Sequence, residues 1–428
     1  MTGFFKKAGI AAAAGALALC LAAPAMAATP ADLEARIQAM EKQLSAMRTQ
    51  LSATQAVQTE MATTVATKAA KDAMPSWLKR ISFYGDLRTR FQHTSYDELA
   101  GKDKDARARF RLRLRFGVKS QIHPDWEVGF RVVSGADSDP TSTNQTMSAY
   151  FQEHANFGFD TAYVTWTPSA AGKIFSWTFG KAKNPLYTSK AIWDGDVVPE
   201  GTWVKLNFNR KGAMQPFVTF GSMFLNEHSS EATDDVYAYF LQAGLKGKAG
   251  ALSFVVAAGY IDWGALGDVG NVAADSTTEN GGTPTYTDGS GATRTTNYKV
   301  WDIYGKAGIK LAKDTSLGLW AHYFTNSDSK GTYKDEDKGY AGGASLAMKP
   351  FKLNLWYKYV EANASPGFIA DSDSGFVNRQ GYVASIDWKV FKRGTFTLAY
   401  YDTEPVEDNI KNAKNGDQTL FLDFVFKF

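Results

Sequence analysis

One ten-residue stretch of this chain, residues 107–116, alternates arginine with apolar residues along its whole length. A strict two-residue period predicts a β-strand with one charged face and one apolar face. Guanidinium groups bind carboxylates and phosphates well, so the charged face is suited to binding or steering anions. The alternating arginines are Arg107, Arg109, Arg111, Arg113 and Arg115. Their role depends on what each face of the strand contacts.

Two settings suit such a strand. In a soluble β-sandwich the apolar face packs on a core and the arginines face bulk water. In an outer-membrane barrel the apolar face contacts lipid and the arginines line a water-filled lumen. An arginine that faces lipid near the midplane costs about 2–4 kcal/mol, so in a barrel the charged face must be the inner one. The preceding segment, residues 81–93, repeats the pattern with Arg88 and Arg90 on its polar face.

The start of the chain favours the membrane setting. A pair of lysines precedes an apolar run, which ends at the small-residue motif Ala-Met-Ala at residues 25–27. This pattern is typical of a secretory signal peptide, here residues 1–27. The only cysteine, Cys20, lies within it. The mature chain is therefore predicted to have no disulfide and no cysteine metal site.

Composition narrows the class of protein further. Loss of the signal peptide would lower the formal net charge from +3 to +1, because it removes two lysines. A near-neutral balance argues against a general nucleic-acid binder. Aromatic residues make up 14% of the chain, yet its mean hydropathy is −0.29. Alternating strands with aromatic girdles give this combination, because half of each strand faces water.

Residues 28–74 are predicted to form a coiled-coil helix. Apolar residues recur there at alternating steps of four and three, which is the spacing of a heptad seam. The seam begins with Leu33, Ile37, Met40, Leu44, Met47 and Leu51. Such a helix needs a partner for its apolar face, so we expect self-association. A spacer helix that packs on the following domain is the alternative.

The remaining residues, 80–428, are predicted to form an all-β domain, a 16-stranded antiparallel transmembrane β-barrel. Alternating segments are separated by seven short turns and eight long loops in strict succession. This asymmetry is typical of an outer-membrane barrel with short periplasmic turns and long external loops. An even strand count leaves both ends of the barrel domain on the periplasmic side. The coiled coil would lie there as well.

The last strand and the third long loop carry a resemblance to known proteins. Leu420, Leu422, Phe424, Phe426 and Phe428 share one face and end the chain. This ending resembles the assembly signal of outer-membrane barrels. Residues 192–201 read Ile-Trp-Asp-Gly-Asp-Val-Val-Pro-Glu-Gly. With the strand count, these features resemble the trimeric outer-membrane porins of Gram-negative bacteria, and the helix resembles a subgroup with an N-terminal periplasmic coiled coil.

The resemblance implies a constriction inside the barrel. In porins the third external loop folds inward and sets acids opposite an arginine cluster, which here gives the acid role to Asp194, Asp196 and Glu200. The basic side would be a subset of Arg88, Arg90, Arg107, Arg109, Arg111, Arg113 and Arg115. A solvated acidic loop is the alternative. Residues 135–158 or 263–296 could occlude the pore instead.

Catalytic and metal sites find little support in the sequence. The histidines show no metal-ligand spacing, and no nucleophile motif stands out, so neither a metal nor a cofactor is expected. Asp371 and Asp373 are expected at a solvated loop tip. A divalent-cation site near lipopolysaccharide is the alternative for these two acids.

Three functions remain open from the sequence. The first is passive diffusion of small hydrophilic solutes and ions through a pore polarised across its width. The second is a specific anion channel for phosphate, sulfate or carboxylate solutes. The third is a structural tether from the outer membrane to the cell wall. The expected partners are further copies of the chain in a homotrimer, outer-membrane lipid and lipopolysaccharide, and peptidoglycan through the coiled coil, but no nucleic acid.

Overall fold

The computed structural model describes residues 30–73, 78–96, 105–135, 139–147, 157–227, 235–267, 285–287, 289–290, 293–410 and 416–428. The predicted signal peptide, residues 1–27, lies outside the described residues. The chain divides into two compact units, one ending at Lys79 and the other beginning at Arg80.

The first unit contains one long helix, α1, which spans Pro30–Ala73. Proline suits the first helical position, because its missing N–H would have no partner within the helix there. Five residues of the predicted seam are between 48% and 60% exposed, namely Ile37, Met40, Leu44, Met47 and Leu51. The single chain therefore leaves this apolar stripe uncovered. None of the helices in the described part of the chain is both long and apolar enough to span a membrane.

The second unit is built from nineteen described strands, β1–β19 in chain order. Their bounds are Ile81–Tyr96 (β1), Arg107–His123 (β2), Trp126–Ser134 (β3), Gln145–Thr146 (β4), Phe157–Trp166 (β5), Phe175–Lys181 (β6), Glu200–Asn207 (β7), Met214–Asn226 (β8), Val236–Ala249 (β9), Leu252–Asp262 (β10), Thr285–Thr287 (β11), Thr293–Thr295 (β12), Lys299–Ala312 (β13), Thr315–Asn326 (β14), Lys338–Met348 (β15), Phe351–Val360 (β16), Arg379–Phe391 (β17), Gly394–Glu404 (β18) and Asp417–Lys427 (β19). Short 3₁₀ helices lie at Leu78–Arg80, Ser169–Ala171, Gly264–Gly267, Gly367–Ile369 and Ser372–Ser374.

Sixteen of these strands form a closed antiparallel barrel. Each long strand pairs with the long strands before and after it, and β1 closes the ring by pairing with both β2 and β19. The three short strands lie outside this ring, since β4 adds to β2 and β11 pairs with β12. The predicted sixteen-stranded barrel with a preceding helix is confirmed.

The two faces of the barrel wall differ in polarity, as the arginine strand shows. Phe110 is 60% exposed, whereas its neighbour Arg111 is only 9% exposed. The outer face of other strands is likewise apolar, with Phe83, Ile303 and Leu355 all more than half exposed. Exposed apolar surface of this extent is unfavourable in water and favourable against lipid. The apolar face therefore contacts lipid, and the arginines face the lumen.

The end of the barrel with short turns carries a belt of aromatic pairs. Trp126 stacks on Trp166 with ring centroids 5.8 Å apart, and Phe351 stacks on Trp388 at 6.2 Å. Aromatic girdles of this kind lie at the interface between lipid and water. The terminal Phe428 exchanges two backbone hydrogen bonds with Gly85, each 3.2 Å long. The chain terminus thus ties the last strand to the first.

Candidate functional site

Strands β1 and β2 form an arginine wall on the inner face of the barrel. Their register sets Arg88 opposite Arg113 and Arg90 opposite Arg111. Directly paired residues on adjacent strands lie only about 5 Å apart at Cβ, so the guanidinium groups repel one another unless acids lie between them. The arginine wall therefore requires counter-charges.

Two counter-charges lie on the strands themselves. Asp86 on β1 accepts hydrogen bonds from Arg113 Nη2 at 2.7 Å and from Arg115 Nε at 2.9 Å. Asp423 on β19 binds Arg90 through both carboxylate oxygens, at 2.7 and 2.8 Å. Such charge-assisted pairs are the strong ones among protein hydrogen bonds. The sequence places Asp86 and Asp423 on polar strand faces, but their pairing with the arginines emerges only from the register.

The third long loop, residues 182–199, brings another acid to the wall. Asp196 Oδ1 lies 3.1 Å from Arg115 Nη1 and 3.9 Å from Arg113 Nη1. Its other oxygen accepts a hydrogen bond from the Thr143 hydroxyl at 2.9 Å. Burial would raise the pKa of Asp196, but the guanidinium groups of Arg113 and Arg115 outweigh it and hold the pKa below its usual range. Asp196 is therefore a carboxylate that faces the arginine wall.

Asp194 has a different environment, although it is only two residues away. Its Oδ1 accepts a hydrogen bond from the Asp196 backbone N–H at 2.7 Å, and its Oδ2 accepts one from the Ser372 N–H at 3.4 Å. Burial, reinforced by the nearby carboxylate of Asp371, raises the pKa of Asp194 to about 9. Asp194 is thus neutral at neutral pH and links two loops rather than contacting the arginine wall.

The seventh long loop, residues 361–378, also folds into the barrel. Both carboxylate oxygens of Asp373 lie close to Arg90 Nη1, at 3.0 and 3.1 Å. Asp371 is 1% exposed and lies 3.4 Å from the ammonium group of Lys190 on the third loop. The prediction of a solvated loop tip for Asp371 and Asp373 is therefore wrong. Asp373 provides a counter-charge to the arginine wall.

The reason for this error lies in the residues that precede the two acids. Residues 362–367 read Ala-Asn-Ala-Ser-Pro-Gly, and all of them are buried. Small polar residues of this kind resemble a solvated loop in sequence, but they also allow close backbone packing inside a crowded lumen. The buried Lys358 on β16 fixes the loop by donating hydrogen bonds to Ser374 Oγ at 3.0 Å and to the Phe376 carbonyl at 2.7 Å.

The third and seventh loops pack against each other inside the lumen. The Asp194 N–H donates to the Ile369 carbonyl at 2.6 Å, and the Asp371 N–H donates to the Lys190 carbonyl at 3.3 Å. Trp193 of the third loop stacks on Trp263, whose ring in turn meets Phe368 of the seventh loop edge-on. The two loops therefore form one packed unit beside the arginine wall.

The third loop is anchored to the far side of the barrel as well. Gln242 on β9 accepts a hydrogen bond from the Tyr187 N–H at 2.8 Å and donates one to the Tyr187 carbonyl at 2.9 Å. Ser189 Oγ lies 2.8 Å from His322 Nδ1, and His322 Nε2 lies 3.1 Å from Asp302 Oδ2. The spacing of these residues in the sequence did not indicate that Ser189, His322 and Asp302 would be in contact. All three side chains are buried. Because Ser189 belongs to the loop and His322 and Asp302 belong to the barrel wall, this contact anchors the loop to the wall.

Other predicted site residues lie away from these contacts. Glu200 is 57% exposed at the start of β7, where it pairs with a lysine of β6. Arg107 is exposed at the start of β2. Arg109 and Arg111 donate hydrogen bonds to Gln92, at 3.0 and 3.4 Å. The structure thus brings Asp196 to part of the predicted arginine set, leaves Asp194 at the contact between the two loops and places Glu200 away from both.

These elements border a cavity of about 630 Å³ in the lumen. Its charged lining consists of Arg88, Arg90, Arg113, Arg115, Lys190, Lys306, Lys352, Asp194, Asp196, Asp371, Asp373 and Asp423. Among the described residues, no cluster of three or more His, Cys, Asp or Glu side chains is arranged to hold a metal ion. The chemistry of the cavity is that of fixed charges of both signs around water.

Comparisons with known proteins agree with this architecture. Residues 100–295 match a family model described as a putative porin, a range that includes β2 and the third loop. A comparison with curated proteins gives no match. OprB of Pseudomonas putida has a similar fold, with 13% identity over 82% of this chain and 94% of that chain and a TM-score of 0.52.

Two other outer-membrane proteins align at lower scores. The channel DcaP of Acinetobacter baumannii is 12% identical over 81% of this chain and 97% of that chain, with a TM-score of 0.45. A loop-deletion mutant of OmpT from Vibrio cholerae is 11% identical over 81% and 99%, with a TM-score of 0.46. The family match and the fold shared with OprB confirm the resemblance of this chain to the outer-membrane porins of Gram-negative bacteria.

Proposed function

We propose that this chain forms an outer-membrane channel for the passive diffusion of small hydrophilic solutes and ions. The channel is narrowest between the arginine wall and the unit formed by the third and seventh loops. The observation that carries the proposal is that two loops each present a carboxylate to the wall, Asp196 at 3.1 Å from Arg115 and Asp373 at 3.0 Å from Arg90. The field between these charges orients dipolar solutes and hinders apolar ones.

A preference for anions is the second candidate, and the charge balance of the cavity favours it. The lining contains seven basic side chains and five aspartates. The raised pKa of Asp194 leaves that carboxyl neutral at neutral pH, which increases the excess of positive charge. Fixed positive charge lowers the energy of an anion in the pore and raises that of a cation. We therefore expect mild anion preference rather than a channel for one solute.

Planar-bilayer recording of the purified protein tests both candidates. We expect ohmic conductance steps in KCl and a reversal potential on the anion side across a salt gradient. Replacement of Arg113 and Arg115 by serine should shift the reversal potential towards zero, because these side chains border the cavity. Arg107→Ser is the matched control and should leave it unchanged, since Arg107 is exposed at the start of the strand. A protein that inserts without conducting would refute the channel.

We further propose that the barrel assembles as a homotrimer and that α1 forms a coiled coil in the periplasm. The exposed seam of α1 supports the helix association, since an uncovered heptad stripe is stabilised by burial against other helices. Conductance steps in groups of three and a trimeric mass in detergent are the expected results. A monomeric mass at protein concentrations that give full conductance would refute the trimer.

We also propose that α1 tethers the outer membrane to the cell wall. Deletion of residues 30–73 separates it from conduction. If α1 binds peptidoglycan, the full chain should co-sediment with purified peptidoglycan and the shortened chain should not. Equal sedimentation of both proteins would refute the tether and leave the channel unaffected.

A further inference from the structure

We propose that the barrel wall across the lumen from the arginines contains a subsite for small aromatic carboxylates. This inference rests on the proposed channel, because a solute must enter the lumen to reach the site. It concerns one part of the cavity, formed by the inner faces of β13–β16. We call this part the tryptophan wall, and its defining residues are Lys306, Trp320, Lys352 and Trp356.

Two indole rings lie side by side on this wall. The register sets Trp320 on β14 and Trp356 on β16 directly opposite Gly343 on the strand between them. The ring centroids are 6.1 Å apart, with an angle of 50° between the planes. A Cβ at Gly343 would lie 2.5 Å from Trp356 Cβ and 2.8 Å from Trp320 Nε1. Because glycine has no side chain, both indoles can pack over the backbone of β15 at Gly343.

Exposing an indole ring to a water-filled cavity is unfavourable in free energy unless another apolar group covers the ring. Trp320 and Trp356 are half-buried, and both line the same cavity as the arginine wall. Part of each indole packs against buried side chains, and the part that lines the cavity faces water. An aromatic solute would remove this surface from water and stack on it in an offset or edge-to-face arrangement. The tryptophan wall is therefore suited to a planar apolar ring.

Two lysines provide the charge for an anionic ring. Lys306 is the direct cross-strand partner of Trp320, and Lys352 lies on the same strand face as Trp356. Both side chains are exposed to the cavity. No acid of the described residues forms an ion pair with either ammonium group. Lys306 is therefore placed to bind a carboxylate carried by a ring that stacks on the indoles. Lys352, whose cross-strand partner is Asp387, adds positive charge further along the same wall.

Polar groups beneath the indoles explain why a carboxylate is favoured over a sugar. Asn354 donates hydrogen bonds to Ser385 Oγ at 3.1 Å and to Asp387 Oδ2 at 3.3 Å. The other Asp387 oxygen accepts a hydrogen bond from Thr397 at 2.7 Å. The acid on this part of the wall thus already accepts hydrogen bonds from Asn354 and Thr397. The ammonium groups remain available to a solute. They favour a carboxylate over a sugar hydroxyl, because the carboxylate adds charge attraction to the hydrogen bond.

Block of the channel current by benzoate tests the proposal in the purified full-length protein. Cyclohexanecarboxylate is the matched probe, because it has the same charge and ring size but no aromatic face. We expect benzoate to bind with an apparent Kd at least about fivefold lower than that of cyclohexanecarboxylate. A stacking contribution of about 1 kcal/mol corresponds to a factor of this size. Gluconate should block no better than cyclohexanecarboxylate.

Substitutions in the tryptophan wall test whether benzoate binds there. Trp320→Leu and Trp356→Leu should each raise the apparent Kd of benzoate about fivefold, while Trp320→Phe retains most of the affinity. Lys306→Gln should weaken benzoate and cyclohexanecarboxylate alike. Trp301→Leu is the control, since Trp301 lies on the lipid-facing side and is 55% exposed there. Far-UV circular dichroism and heat-dependent mobility in gels show that each variant is folded.

The outcomes separate this inference from the proposed function. Normal conductance with equal block by benzoate and cyclohexanecarboxylate would overturn the subsite and leave the channel intact. Stronger block by gluconate would replace the aromatic anion with a sugar acid and overturn the proposal as stated. Benzoate block that Trp320→Leu and Trp356→Leu leave unchanged would place the ligand elsewhere. Absence of conductance in the unmodified protein would refute the channel, and the inference with it.

Discussion

The third and seventh loops both fold into the barrel, yet they reach the arginine wall from different sides and with different sequences. The third loop carries Trp193 and the acids Asp194 and Asp196, and it is fixed to the far wall through Gln242 and the Ser189–His322–Asp302 chain. The seventh loop begins with small buried residues and is fixed through Lys358. An inward loop thus needs anchors on the wall more than it needs a characteristic sequence.

The two loops also neutralise different parts of the arginine wall. Asp196 of the third loop pairs with Arg115, towards the end of the barrel that carries the short turns. Asp373 of the seventh loop pairs with Arg90, further towards the long loops. Asp196 does not pair with Arg90, and Asp373 does not pair with Arg115. We therefore propose that the two loops form the constriction jointly, and substitutions in each loop measure its share.

The largest effect is expected for Arg90→Ala. This change removes the guanidinium partner of Asp373 and the closer of the two guanidinium partners of the buried Asp423, since Arg88 lies 3.8 Å away. We expect a loss of about 3–5 kcal/mol in the free energy of unfolding. Urea unfolding of the purified barrel in detergent measures it. Arg107→Ala is the control and should change stability by less than about 0.5 kcal/mol, because Arg107 is exposed. Equal effects of the two variants would remove the seventh loop from the arginine wall.

The anchors of the two loops should give smaller effects that can be compared directly. His322→Leu breaks the link between Ser189 and Asp302, and Lys358→Met breaks the links to Ser374 and Phe376. Each should cost about 1–3 kcal/mol, because buried polar groups lose their partners. Each should also increase current noise in single-channel traces, as the released loop moves within the lumen. If current noise is unchanged in both variants, packing between the two loops is enough to hold them in place without these anchors.

Asp194 predicts a pH dependence at the contact between the loops. Its pKa is raised in the folded protein, so the stability tied to its proton is fully present below about pH 4 and is lost as the pH rises towards about 9. Asp194→Asn should remove that dependence and stabilise the barrel at alkaline pH by at least about 1.4 kcal/mol, the equivalent of one pKa unit. Thermal unfolding between pH 5 and pH 9 measures this. Parallel pH profiles for the two proteins would contradict it.

The smallest effect is expected for Glu200→Gln. Glu200 is exposed, and its one ion pair within the described part of the chain is with Lys181. Stability should therefore change by less than about 1 kcal/mol, and the reversal potential should not change. Bilayer recording across a salt gradient checks the second point. A shift towards anion preference as large as that of Asp196→Asn would restore Glu200 to the constriction, where the sequence had placed it.

The fold was predictable because its signals are local. A two-residue period and a terminal phenylalanine can be recognised in short windows of sequence. The alternation of short turns and long loops can be read along the chain without knowing any contact between distant residues. The site was only partly predictable, since its contacts join distant segments. Arg90 and Asp423 are 333 positions apart, and their contact depends on closure of the barrel by β1 and β19. The tryptophan wall likewise depends on the register of three strands, which no single strand specifies.

Cysteine modification shows whether both loops border the conducting path. Asp196→Cys and Asp373→Cys place a thiol on the third and the seventh loop, and Glu200→Cys provides an exposed control. A bulky charged methanethiosulfonate reagent, added during single-channel recording, should sharply reduce conductance for the first two variants and leave the third unchanged. A reduction for Asp196→Cys with none for Asp373→Cys would contradict the account, because the third loop alone would then form the constriction.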